Sequence, residues 1–154
     1  MSIYLLKCLL SVIICYFAGG IMFGIIISKL ATKDDIRQHG SGNAGATNML
    51  RVFGLKAGIV TFALDMLKCL GAILLCKYLL IYPAAEALDG AKLNIFIAPE
   101  TVVYYCGFFT LLGHSFPAFF KFKGGKGVLT AATLILLLDP MVFAILALIW
   151  FAVL

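Results

Sequence analysis

Residues 8–28, CLLSVIICYFAGGIMFGIIIS, hold no charged side chain across 21 positions. At 1.5 Å of helical rise per residue such a run crosses a hydrocarbon core of roughly 30 Å, so it predicts a first transmembrane helix. Lys7 just before it raises the alternative of a cleaved signal peptide. The length of the run and the charged loop directly after it favour a retained membrane segment. The composition agrees: 64% of residues are hydrophobic, 12% are charged and the mean hydropathy is +1.12, against roughly 25% charged residues in ordinary soluble domains. In 154 residues the apolar runs fit about five membrane segments. The expected fold is all-α, a polytopic membrane helical bundle forming one domain over residues 1–154.

Working outward, residues 29–56 carry Lys29, Lys33, Arg37, Arg51 and Lys56 against Asp34 and Asp35. The positive-inside tendency puts this loop in the cytoplasm and the N-terminus outside. Residues 57–80 form a second apolar run, interrupted by Asp65, Lys68 and Lys77. Ionisable groups at membrane depth are costly unless paired or functional. Asp65 and Lys68 stand three apart on one helical face, either as a mutually neutralising pair or as a support for the basic loop. Residues 81–100 bear Glu86, Asp89 and Glu100 against Lys92, with Pro83, Gly90 and Pro99 as breakers, and read as a loop on the opposite side. Residues 101–118 predict a third helix returning to the cytoplasmic side. Residues 128–138 would span only about 17 Å as a helix. Asp139-Pro140 suits an N-cap and a first helical position, so two helices are expected here, the second over Met141–Leu154. The chain stops inside that apolar run without a polar flank, which reads as a C-terminal truncation with poor turnover. No internal repeat or low-complexity segment stands out.

The net charge of +5 does not argue for nucleic acid, because eight of the twelve basic residues lie in two short loops. Cys8, Cys15, Cys69, Cys76 and Cys106 all fall in apolar segments without a C-x-x-C spacing, and read as small core residues rather than metal ligands.

The polar stretch with chemistry in it is Gly40–Arg51, GSGNAGATNMLR. Gly40, Gly42 and Gly45 let backbone N–H groups turn outward, and Ser41, Asn43, Thr47 and Asn48 add side-chain donors. Thr47 or Asn43 can cap a helix beginning near Ala46. Arg51 then shares a face with Thr47 and Asn48, so cap, helix N-terminus and guanidinium converge on one anion. An ordinary turn-rich linker is the alternative. The second such segment, GHSFPAFFKFKGGKG at 113–127, joins His114, Lys121, Lys123 and Lys126 to Gly124, Gly125 and Gly127 ahead of an apolar helix. It is not a Walker loop, since Val128 follows Gly127 and no Ser or Thr follows Lys126. Phe116, Phe119, Phe120 and Phe122 read as a headgroup-level aromatic belt or as acyl-chain contacts. Two basic loops on one side of an apolar bundle suit two phosphate-bearing ligands, one with a hydrocarbon tail.

These two segments, in this order, resemble the first two motifs of the bacterial glycerol-3-phosphate acyltransferases that use acyl phosphate, the PlsY family, and Asp65-x-x-Lys68 resembles its second helix. The resemblance implies transfer of an acyl group from acyl phosphate to the 1-hydroxyl of glycerol 3-phosphate, giving 1-acylglycerol 3-phosphate and phosphate. It implies no cofactor: no nucleotide, metal or thioester carrier. It implies Ser41, His114 and Lys126 as catalytic residues, with His114 orienting a phosphate or assisting proton transfer. Substrate phosphate would be held by Gly40, Gly42, Asn43, Gly45, Thr47, Asn48, Arg51, Lys123, Gly124, Gly125 and Gly127. The implied partners are the two substrates, membrane lipid and, functionally, the enzyme that makes acyl phosphate, with no nucleic acid. The implied location is the bacterial cytoplasmic (inner) membrane. The His and Asp of acyl-CoA-using acyltransferases, with four residues between them, are absent: Phe119 stands five beyond His114, and Ala44 five beyond His39. The family's third motif, rich in Arg and Asn with a trailing Glu, has no counterpart before Leu154. A small transporter or channel for an organic phosphate is the runner-up, with only Asp65, Lys68 and Lys77 to line a path. A structural membrane module comes third.

Overall fold

The computed structural model describes residues 1–88 and 93–153. Every regular element among them is helical. Three helical stretches, Ser2–Thr32, Leu55–Glu86 and Pro99–Phe120, are long and apolar enough to cross a membrane, and Val128–Leu138 and Pro140–Ile149 are shorter apolar helices.

The run read as one helix over 8–28 is broken. Helix α1 spans Ser2–Gly19 and α2 spans Phe23–Thr32, with Met22 between them outside the helical region at φ −96°, ψ 88°. Adjacent glycines resist helix extension, and here Gly19 is needed for packing. A Cβ on it would strike the Thr110 backbone, and one on Gly113 would strike the Tyr16 carbonyl. These small residues let α1 and the helix Pro99–Ser115 approach closely, as small residues do at membrane helix crossings. The break frees the Ile21 carbonyl, which accepts from Lys68 Nζ at 2.5 Å. A backbone group freed at membrane depth needs such a partner.

After a loop and the short α3 (Ala46–Phe53), α4 (Leu55–Leu75) continues through a π-helical turn, Cys76–Ile81, into α5 (Tyr82–Glu86). The second apolar helix thus runs past residue 80, where a loop was expected. Pro83 is accommodated because the turn just before it is already widened: the Tyr82 N–H bonds to Lys77 O, five residues back. The expected loop residues Asp89, Gly90 and Lys92 lie outside the described residues, as does Leu154.

Helix α6 (Pro99–Ser115) starts and stops earlier than the expected 101–118. Pro99 suits a first turn, and Pro117 drives Phe116 out of the helical region to φ −128°, ψ 63°. Helices α7 (Val128–Leu138) and α8 (Pro140–Val153) are separate, as expected from Asp139-Pro140. Asp139 Oδ1 accepts the Val142 N–H at 3.0 Å. All five cysteines are buried, free thiols, and Cys8, Cys15, Cys76 and Cys106 belong to the main apolar core.

Candidate active site

The first loop is shaped from inside by Asn48, on the first turn of α3 and only 1% exposed. Its Nδ2 donates to Asn43 O (2.9 Å), His39 O (3.0 Å) and Ile36 O (3.2 Å), and its Oδ1 accepts from the Ser41 N–H at 2.9 Å. Gly40 sits at φ +59°, and a Cβ there would strike Asn48 Oδ1, so glycine is required on both counts. Asn48 therefore spends its polar atoms on the loop instead of offering them to an anion. The expected cap is also corrected. Gly45, not Thr47 or Asn43, stands at the N-cap of α3, and Asn43 Oδ1 accepts the Gly45 N–H at 2.9 Å just ahead of it. The Gly42 N–H is used as well, on His39 O. What the loop offers is the first turn of α3, where the N–H groups of Ala46 and Thr47 have no intrahelical acceptor.

In the second loop the expected anion-binding glycines do something else. The Gly124 N–H donates to Ser115 O at 3.2 Å and the Gly125 N–H to His114 O at 3.0 Å, tying the loop to the C-terminal end of α6. Side chains are excluded by proximity: a Cβ on Gly124 would lie 2.6 Å from Pro117 Cδ, and one on Gly125 would strike the His114 ring. Gly127, at φ +74°, starts α7. The Lys123 side chain is exposed, while its carbonyl accepts from Arg37.

Arg37 enters the sequence reading only as one of the basic charges of the 29–56 loop. Its Nη1 donates to Lys123 O at 2.9 Å and Phe120 O at 3.1 Å, joining the two loops, while Nε and Nη2 grip Asp35 at 3.0 and 2.7 Å. The Arg37 hydrogen bonds hold the Asp35 carboxyl below the usual carboxylate range. Asp34 is lowered in turn by its hydrogen bond to His39. The Asp35-x-Arg37 spacing was the available signal.

Asp65 and Lys68 form a buried pair, 2% and 4% exposed at their side chains, with Nζ 2.7 Å from Asp65 Oδ1. The contact is ionic, without the angle of a directed hydrogen bond. Lys68 also stands 3.2 Å from His114 Nδ1. The pair is mutually neutralising, and its onward contact is to His114 at the end of α6, next to the second loop.

These elements enclose a cavity of about 420 Å³. Ser41, Asn43, Gly45, Thr47, Asn48 and Arg51 line it from the first loop and α3, His114 from α6, and Lys126 and Gly127 from the second loop. Asp65 joins them, and Phe62, Val128, Leu129 and Ala132 supply an apolar wall from α4 and α7. Gly40, Gly42, Lys123, Gly124 and Gly125 are not part of its lining. Two cations and a helix N-terminus thus face one concave space that is apolar along one side. That arrangement can hold phosphate oxygens next to a hydrocarbon chain.

The family model described as glycerol-3-phosphate acyltransferase matches residues 9–154. A glycerol-3-phosphate acyltransferase of Finegoldia magna is 40% identical over 92% of this chain and 62% of its own length. That of Ureaplasma urealyticum is 41% identical over 92% of this chain and 55% of its own. The chain spans less than two thirds of the length of these relatives. The crystal structure of PlsY, an integral membrane glycerol 3-phosphate acyltransferase, in its glycerol 3-phosphate form superimposes with a TM-score of 0.72 at 36% identity. It covers 95% of this chain and 64% of that one. The lysophosphatidic acid form gives 0.68 over the same shares. With the family model matched from residue 9 to residue 154 and the PlsY architecture shared at this identity, the chain belongs to the glycerol-3-phosphate acyltransferase family of integral membrane proteins.

Proposed function

We propose that this protein transfers the acyl group of an acyl phosphate to the 1-hydroxyl of glycerol 3-phosphate, yielding 1-acylglycerol 3-phosphate (lysophosphatidic acid) and inorganic phosphate. The observation that carries the reading is the two-sided cavity, with Arg51, Lys126 and the first turn of α3 at its polar part and Phe62, Val128, Leu129 and Ala132 along its apolar wall. The forms in which PlsY was crystallised, with glycerol 3-phosphate and with lysophosphatidic acid, support the acceptor and the product. The acyl phosphate donor rests on the motif resemblance.

In the reaction the hydroxyl oxygen bonds to the acyl carbon, the acyl C–O bond to phosphate breaks, and phosphate leaves with the electron pair. The hydroxyl proton ends on the released phosphate or on water. An acyl phosphate is already activated, so the site's main task is to hold two mutually repelling phosphates at reacting distance. Arg51 grips one bidentately, with Ser41, Asn43 and Thr47 beside it. Lys126 neutralises charge on the departing phosphate, and His114 orients a phosphate or assists proton transfer. Lys123 acts from outside the cavity by its charge. Gly40, Gly42, Gly124 and Gly125 act by letting the loops close, and Gly45 and Gly127 begin the helices that face the site. Residues 1–154 act as one transmembrane acyltransferase domain. The loops face the cytoplasm of a bacterial inner membrane and the N-terminus lies outside, in keeping with the charge asymmetry. A functional partner is the enzyme that supplies acyl phosphate.

The test is phosphate release from a synthetic acyl phosphate in detergent, with the full-length Finegoldia magna relative as reference. Release that depends on glycerol 3-phosphate is expected. Release independent of it, or none alongside transport of an organic phosphate into proteoliposomes, would overturn the reading.

A further inference from the structure

The Lys68 side chain is 4% exposed, and its ammonium faces three acceptors from three helical segments: Asp65 Oδ1 at 2.7 Å on its own helix, Ile21 O at 2.5 Å in the break between α1 and α2, and His114 Nδ1 at 3.2 Å on α6. Phe23 covers it, with its ring centre 5.8 Å from Nζ. So enclosed, Lys68 cannot itself reach a substrate in the cavity, and it is absent from the lining. Its effect on the site passes through the two neighbours that do line it, Asp65 and His114.

An ammonium group has hydrogens and no lone pair, so the contact can form only with Nδ1 as the acceptor. In the neutral imidazole the remaining proton then sits on Nε2. The backbone fixes where that nitrogen goes. The Gly125 N–H bonds to the carbonyl of His114 itself, at 3.0 Å, and the Gly125 α-carbon lies so close to Nε2 that a Cβ could not fit. The ring is held from one side by Lys68 and from the other by the second loop, two residues before His114's cavity neighbour Gly127. Nδ1 is occupied, and Nε2 bears the hydrogen.

We propose that Lys68 is a positioning residue that fixes His114 as an Nε2–H hydrogen-bond donor, so that His114 steadies a phosphate oxygen and does not remove the hydroxyl proton. The break at Gly20–Met22 has a purpose in this arrangement. It presents the Ile21 carbonyl that, with Asp65, aims the ammonium. The catalytic consequence rests on the acyltransferase reading, but the tautomer does not, and the two fail separately.

The chain has two histidines, so ¹⁵N-histidine labelling in lipid nanodiscs gives two ring spectra, and His39→Gln assigns them. His114 should show a pyrrole-type Nε2 and a pyridine-type Nδ1 near neutral pH. Lys68→Met should replace this with a mixture of tautomers. Because that variant leaves Asp65 unpaired, Asp65→Asn/Lys68→Met is measured beside it and should behave alike. A proton on Nδ1 in the unaltered protein, or an unchanged tautomer in the double variant, overturns the proposal. The activity arm compares His114→Gln with His114→Phe. A glutamine can accept from Lys68 and donate onward, so it should keep at least about a tenth of kcat/KM, whereas the phenylalanine variant should lose about a hundredfold. A general base would lose on the order of 10²–10⁴ in either variant. Equal loss in both overturns the donor role even if the tautomer stands.

Discussion

Asn48→Asp changes one atom of a side chain that organises the first loop, and the direction of its effect discriminates between readings of that residue. The carboxylate keeps the acceptor for the Ser41 N–H. It loses the Nδ2 protons shared among Asn43 O, His39 O and Ile36 O at 2.9–3.2 Å. Two protons make at most two full hydrogen bonds, together about 2 kcal/mol at a net 0.5–1.5 each. A buried carboxylate facing three carbonyl oxygens, or its protonation at neutral pH to avoid them, adds roughly another 1–2 kcal/mol. Against this stands the favourable field at the first turn of α3, worth about 0.3–1 kcal/mol to an anion. The net cost is about 3 kcal/mol, or about a hundredfold in the opening of the loop at 1.4 kcal/mol per decade. Amide hydrogen exchange across residues 40–48 reads it without any substrate. The amides of Ser41 and Gly42 should exchange up to about a hundredfold faster, and affinity for glycerol 3-phosphate should fall with them. If Asn48 were instead a ligand on an otherwise self-supporting loop, exchange would be unchanged or slower, because helix N-termini favour acidic residues. That outcome would refute the reasoning.

Arg37→Ala should free the second loop from Phe120 O and Lys123 O, seen as faster exchange at 118–125 and about tenfold weaker phosphate binding. Arg37→Lys should not restore both contacts, since a point charge does not reproduce the fork. The same clasp sets an acid limit. Because Asp35 is held below its unfolded value near 4, its contribution is complete above that pH and disappears as pH falls through the lower folded value. Loop protection should be flat from neutrality to about pH 4 and decline below it, and Asp35→Asn should abolish that decline. Gly125→Ala should displace the His114 ring and cost about a hundredfold in turnover. Gly71→Ala meets no atom within 4 Å and should raise thermal stability slightly, by about 0.5–1 kcal/mol; equal effects at the two sites would contradict the packing described. Arg51→Ala and Lys126→Ala should each lose at least about tenfold in kcat/KM, as loss of a charge-assisted contact costs roughly 1.5–3 kcal/mol. Near-normal kinetics in both would remove them from the site. Impermeant thiol reagents should fail to label Gln38→Cys or Lys121→Cys in sealed cells, and labelling would invert the topology.

The helical class was legible because hydropathy and charge are one-dimensional properties: runs such as Leu55–Leu75 and the turn at Asp139-Pro140 announce themselves by composition and local stereochemistry. The break within 8–28 was not legible. Gly19-Gly20 permits either a continuous helix or a kink, and the choice is made by Thr110, Gly113 and Lys68, far away in sequence. The same reason hid the part of Arg37 that reaches the second loop, where its acceptors are the carbonyls of residues 120 and 123. Any residue presents a carbonyl, so no side-chain pattern marks the partner.

The glycines show where motif reasoning and geometry diverge most usefully. Gly40, Gly42 and Gly127 occupy left-handed backbone, which a list of glycines near a phosphate loop would suggest. Gly124 and Gly125 do not; they are glycines because α6 ends against them, with His114 and Pro117 filling the space a Cβ would need. Their N–H groups are spent on the carbonyls of Ser115 and His114. The two loops therefore contribute to the cavity by different means. The first shapes itself around Asn48 and presents the first turn of α3. The second is fastened to the end of a membrane helix and presents Lys126 and the edge of His114. A substitution in the first loop should change how tightly an anion is held, whereas one in the second should change where His114 points. Binding and turnover should accordingly separate between the loops, with Asn48→Asp acting mainly on affinity and Gly125→Ala mainly on kcat.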